Sequence, residues 1–176
     1  MEPNEFNREF IDEGTPFQPK RPQFLTVLCV LTFISTGMDL LSGFPKLLNG
    51  PLSADQMNDQ KVEMLKSIEQ LRELNMDSFA VMIEKLIRMM EGLNAHFYAA
   101  TVVALIVLMG GLSAAILMWT GRKIGFHVYI AYSLASAMQV YLFVSPSNIP
   151  SIVIILNVLV SGLFVFLYSR NLKWLQ

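Results

Sequence analysis

One cysteine, Cys29, is the entire thiol content of this 176-residue chain. A single thiol forms no internal disulfide, and the two histidines, His96 and His127, fall in no Cys/His spacing of a metal site. Charge is also scarce. Asp, Glu, Lys and Arg make up 15% of residues, against about 25% in an average soluble domain. The net charge of −1 supplies no basic field, which excludes nucleic acid as a partner. Proline is absent between Pro51 and Pro146, so no such residue breaks a helix there. Glycine-rich phosphate loops, nucleophile elbows and H-E-x-x-H pairs are all missing. The chain therefore reads as a non-enzyme that needs no metal and no cofactor.

What is present is apolar sequence, 53% of the chain, gathered into four runs: Phe24–Leu41, Ala95–Trp119, Gly125–Val144 and Ile149–Tyr168. A helix rises about 1.5 Å per residue, so each run is long enough to cross a hydrocarbon core of about 30 Å. The expected fold is an all-α integral membrane protein with four transmembrane helices, over residues 23–43, 95–119, 124–145 and 149–169. The first run follows a polar tail with five acids and ends without a small-residue cleavage site, so it reads as a retained helix rather than a signal peptide. Cys29, inside that run, reads as a small packing residue.

Short flanks rich in Lys and Arg mark the cytoplasmic side. Lys20 and Arg21 precede the first run, Arg122 and Lys123 join the second to the third, and Arg170 and Lys173 follow the fourth. The remaining short turn, residues 145–150, carries no charge. All basic flanks fall on one side of a four-helix topology, so the tail (1–22) and the C-terminus (170–176) are both expected in the cytoplasm of an inner-membrane protein.

Residues 44–94 are then an extracytoplasmic insert with six basic and eight acidic residues. Ser53 or Asp55 caps a first helix running to about Asn75, and Asp77 or Ser78 caps a second. Phe79, Ile83, Leu86, Met90 and Leu93 follow a 4-3-4-3 spacing, the seam of an amphipathic helix. This hairpin closes on itself, binds a partner through Phe79, Ile83, Leu86 and Met90, or lies on the membrane surface. Only Gly92 and Asn94 separate its second helix from the next apolar run, so a continuous rod from Ser78 to Trp119 is a further expectation.

Within the runs, Gly110, Gly111, Ala114 and Ala115 form overlapping small-xxx-small pairs that allow close helix contact. Unpaired polarity in lipid is costly. Asp39 and Gln139 count to similar depths and Asn157 lies somewhat deeper, which predicts one polar cluster in the outer half of the bundle. Its two readings are interhelical hydrogen bonding and an ion or solute site. In the tail, Phe6 and Phe10 stand four apart and suit a short docking helix, while four prolines favour an extended segment.

The stretch Pro19-Lys20-Arg21-Pro22-Gln23-Phe24-Leu25-Thr26-Val27-Leu28-Cys29, with Leu31-Thr32-Phe33, resembles the start of small uncharacterised four-helix inner-membrane proteins of Bacteroidetes-type bacteria. The resemblance implies a bacterial inner membrane and an accessory role, and no activity. The functional expectation is a non-enzymatic accessory or scaffold subunit whose partners are the lipid bilayer and either a membrane protein or further copies of itself. The alternative is a small oligomeric channel or transporter with a polar site near Asp39.

Overall fold

The computed structural model describes residues 22–172 and 174, and every regular element among them is helical. Phe6, Phe10 and the rest of the tail lie outside the described residues, as do Lys20, Arg21 and Lys173. The order is α1 (Gln23–Asn49), α2 (Ala54–Glu73), α3 (Asp77–Ala95), α4 (Phe97–Trp119), α5 (Ile124–Met138) and α6 (Ser151–Ser169). Helices α1, α4 and α6 are long and apolar enough to cross a bilayer, which marks a membrane protein. In lipid the backbone has no water to bond, and a helix satisfies its polar groups internally.

Two helices depart from their expected bounds. α1 runs on past residue 43 through Pro45 to Asn49 and stops at Gly50, whose φ of 79° is left-handed. Pro45 sits near the C-terminal end, where its missing N–H costs one bond rather than a bend across the bilayer. The third run is shorter than 124–145. Its α-helix ends at Met138 and tightens into a 3-10 turn over Gln139–Leu142, a common way to finish a helix. The turn that follows contains a second 3-10 piece, Pro146–Asn148, and Pro150 sets the start of α6.

The four apolar helices touch in the cycle α1, α4, α5, α6. One end of this group is tightly packed. Leu25 and Cys29 of α1, Ala114 and Met118 of α4, and Tyr168 of α6 are fully buried there, with Phe126 and Tyr129 of α5 nearly so. Gly125 brings α5 onto α4 so closely that an added Cβ would lie 2.7 Å from the Met118 backbone nitrogen. Trp174 rests against Gly121 in the α4–α5 turn. Among α1, α4 and α6, α6 is the least covered, with only 6% of its most apolar stretch buried. Its exposed Ile155, Leu159, Leu163 and Phe166 therefore face the bilayer or another apolar surface.

α2 and α3 form a hairpin at the opposite end. Ser53 caps α2 in a capping box, its Oγ accepting from Gln56 N–H at 3.3 Å while Gln56 Oε1 accepts from Ser53 N–H at 3.1 Å. Asn75, at a left-handed φ of 58°, makes the turn. Neither Asp77 nor Ser78 caps α3; its N-cap is Met76, and Asp77 sits in the first turn, favourable to the helix dipole. The expected rod is also interrupted, because His96 leaves helical geometry between α3 and α4.

Candidate functional site

The hairpin closes through charge and a small apolar seam. Arg72 bonds Glu84 at 2.6 Å across the helices, Lys61 pairs with Glu91, and Arg88 lies 3.6 Å from Glu84 within α3. The closed seam is Met57, Ile68 and Ala80. Ala80 is buried where the spacing favoured Phe79, and Phe79 points outward at 51% exposure. Ile83, Leu86 and Met90 are half-buried. Leu74, Met76 and Phe79 thus form an apolar tip.

Asn94 fixes the hairpin to the apolar helices. Its Oδ1 accepts from Leu52 N–H at 2.8 Å, and its Nδ2 donates to Leu52 O at 3.2 Å. One side-chain amide thereby satisfies both polar groups of a linker residue that belongs to no helix. Gly92 meets the 143–144 backbone closely, since an added Cβ would lie 3.2 Å from Val144 Cγ2 and 3.4 Å from Phe143 O. The uncharged 145–150 turn is consequently tucked beneath α3, with Val144, Ile149 and Pro150 buried.

Beneath the hairpin the helices diverge around a cavity of about 570 Å³, open on one side. Each wall follows from helical periodicity. α1 contributes Asp39, Ser42, Gly43 and Lys46, spaced i, i+3, i+4, i+7. α4 contributes Phe97, Ala100, Thr101, Ala104, Leu105 and Leu108 on the same rule. The end of α3 supplies Met89, Met90, Leu93 and Asn94, and the 3-10 turn supplies Gln139 and Val140. At Gly43 an added Cβ would lie 2.8 Å from Leu105 Cδ2, so α1 meets α4 there. Among the described residues, Asp39 and Lys46 have no ion-pair partner. Gln139 Oε1 is buried without a hydrogen-bond partner.

Asp39, Gln139 and Asn157 do not form one cluster. Asp39 and Gln139 line the cavity under the hairpin, while Asn157 lines a separate pocket of about 180 Å³ with Ser35, Thr36, Ser133 and Ser136. Asn157 accepts there from Ser161 Oγ at 3.5 Å, one turn along α6. Deeper in the same region the Thr32 and Tyr168 hydroxyls bond at 2.8 Å, and Thr36 donates to Thr32 O at 2.6 Å. The Tyr129 ring packs against Tyr168 with centroids 4.7 Å apart and planes tilted by 56°. Depth along each helix was countable, but which residues line the same space was not.

Gly111, Ala114 and Ala115 are buried packing positions, and Gly111 lies against the Tyr132 ring. Gly110 faces open space instead. Lys46 and Asn94 were not read as site residues from the sequence, although the i, i+7 relation of Lys46 to Asp39 was available to find the first. Among the described residues no group of three or more His, Cys, Asp or Glu is placed to hold a metal. Comparison with family models, curated proteins and solved structures found no match.

Proposed function

We propose that this chain is a four-span inner-membrane protein acting as a non-enzymatic accessory or scaffold subunit of a larger membrane assembly. α5 and its 3-10 extension supply the fourth span: 15 and 4 residues give about 30 Å at about 1.5 and 2.0 Å per residue, the thickness of the core. Arg122, Lys123 and Arg170 gather at the packed end and the hairpin sits at the other, which supports cytoplasmic termini under the positive-inside rule. The observation that carries the accessory reading is the tip Leu74, Met76 and Phe79. These side chains stay exposed on a water-facing hairpin whose own seam is already shut, and such a patch marks an interaction surface.

The channel or transporter reading draws on the polar atoms at Asp39 and Gln139. Against it, the cavity and the Asn157 pocket share no lining residue, and the far end is closed by Leu25, Met118 and Tyr168. The test is purification of the full chain in mild detergent followed by mass measurement of the intact complex. A stoichiometric foreign membrane protein, lost in a Leu74→Ser, Phe79→Ser double variant of unchanged melting temperature, is the expected result. A pure homo-oligomer that carries ion flux in liposomes would overturn it.

A further inference from the structure

We infer that the cavity under the hairpin binds a short apolar peptide with both termini free, about three residues long at about 3.3–3.6 Å per residue. The site goes beyond the accessory reading and does not depend on it, because Leu74, Met76 and Phe79 of the tip take no part in its walls. One contact sets the levels inside the cavity. Gly43 of α1 meets Leu105 of α4, and α4 runs antiparallel to α1. Leu108 therefore stands about one turn further from the hairpin, level with Asp39, while Thr101 stands about one turn nearer, level with Lys46. Asp39, with Gln139 at similar depth, forms the floor. Lys46 lies on the same face of α1, about 10 Å closer to the hairpin.

The two levels carry opposite charges, and among the described residues neither charge has an ion-pair partner. At the floor, Asp39 and the buried, unpartnered Gln139 Oε1 are both acceptors. Two acceptors, one of them anionic, suit a cationic donor, an ammonium group. Two turns up, Lys46 suits a carboxylate. Between these levels Ala104 and Leu105 of α4 offer apolar surface, and Met90 and Leu93 of α3 cover it from the hairpin. An ammonium, an apolar body and a carboxylate about 10 Å further on describe three extended residues of peptide. The flexible Lys46 stem takes up the difference in length. The Ser42 and Thr101 hydroxyls line the same space and serve the peptide's amide groups. Charge order, rather than the volume of about 570 Å³, selects this ligand. An apolar amine leaves Lys46 unmatched, an apolar acid leaves Asp39 unmatched, and a single amino acid cannot reach both.

The experiment titrates the full-length protein, purified in mild detergent, with trileucine by native mass spectrometry. The comparators are N-acetyltrileucine, trileucine amide and leucine. One trileucine should bind per chain. Capping either terminus should weaken it about tenfold, the low end for one charged hydrogen bond, and leucine should bind more weakly still. Lys46→Gln should bind trileucine and its amide alike while still rejecting the acetylated peptide. Asp39→Asn should bind trileucine and the acetylated peptide alike while still rejecting the amide. Both variants are checked for an unchanged melting temperature. The wild-type comparison decides even if a variant fails to fold. Wild type that holds the amide as tightly as trileucine overturns the proposal and leaves an amine site. Wild type that holds the acetylated peptide as tightly also overturns it, as does an absence of saturable trileucine binding. A folded Lys46→Gln protein that still prefers trileucine to its amide overturns the assignment of the carboxylate to Lys46, and the proposal with it.

Discussion

Replacing Gly125 with alanine should destabilise the protein although alanine is the better helix former. The first atom that the new methyl meets is the Met118 backbone nitrogen at 2.7 Å, followed by Leu117 Cβ and Met118 Cγ at 2.8 Å. Backbone does not swing aside, so α5 must move off α4 where Phe126, Met118 and Tyr168 are packed. Overpacking of this kind costs about 1–3 kcal/mol, and the upper part of that range applies. The helix-propensity gain is about 1 kcal/mol at most, and less in a first turn. The net loss is about 1–2 kcal/mol. Gly110→Ala provides the control, since nothing lies within 4 Å of its added methyl and only the gain of up to about 1 kcal/mol applies. Gly111→Ala falls between them, because it meets the Tyr132 ring, which can rotate. At about 2–4 °C per kcal/mol for this chain length, Gly110→Ala and Gly125→Ala should differ by about 5–10 °C. Melting in one detergent, followed by loss of the monodisperse peak, reads the order Gly110→Ala, Gly111→Ala, Gly125→Ala. A Gly125→Ala protein that melts at or above Gly110→Ala would refute the close α4–α5 approach.

Three other outcomes are expected. Asn94→Ala strips both hydrogen bonds from the Leu52 backbone. Each is worth about 0.5–1.5 kcal/mol, so hydrogen exchange and protease cleavage around residues 50–53 should rise while the far end of the helices stays protected. A double-mutant cycle of Thr32→Val and Tyr168→Phe should return a coupling near the 0.6 kcal/mol average for interhelical bonds in membranes; zero coupling would contradict the 2.8 Å contact. The Arg72–Glu84 pair is partly exposed, at 58% and 29%, so Arg72→Ala should cost no more than about 1 kcal/mol and the cost should shrink in high salt.

The apolar runs and the cap of α2 were legible; the cap of α3 was not. Ser53 was one of two candidate caps and does cap α2, and the apolar runs located α1, α4 and α6 because length and hydropathy are properties of one segment. Helix ends were harder to place. Nothing in Gln139–Leu142 advertises a 3-10 turn, and the break at His96 follows no glycine or proline. In the hairpin, Phe79 stands exposed and Ala80 buried, while Ile83, Leu86, Met90 and Leu93 are half-buried.

Sequence alone determined that the chain is helical and rich in apolar runs, and where along it the Lys and Arg residues fall. Those conclusions need only composition and residues a few positions apart. The tertiary structure decided which polar residues share a space. Asp39 joined Gln139, Lys46 and Asn94 around one cavity, and Asn157 went to another. The physical reason is rotation: depth along a helix follows from counting at about 1.5 Å per residue, but the face a residue presents depends on close contacts such as Gly43 against Leu105 and Gly125 against Met118.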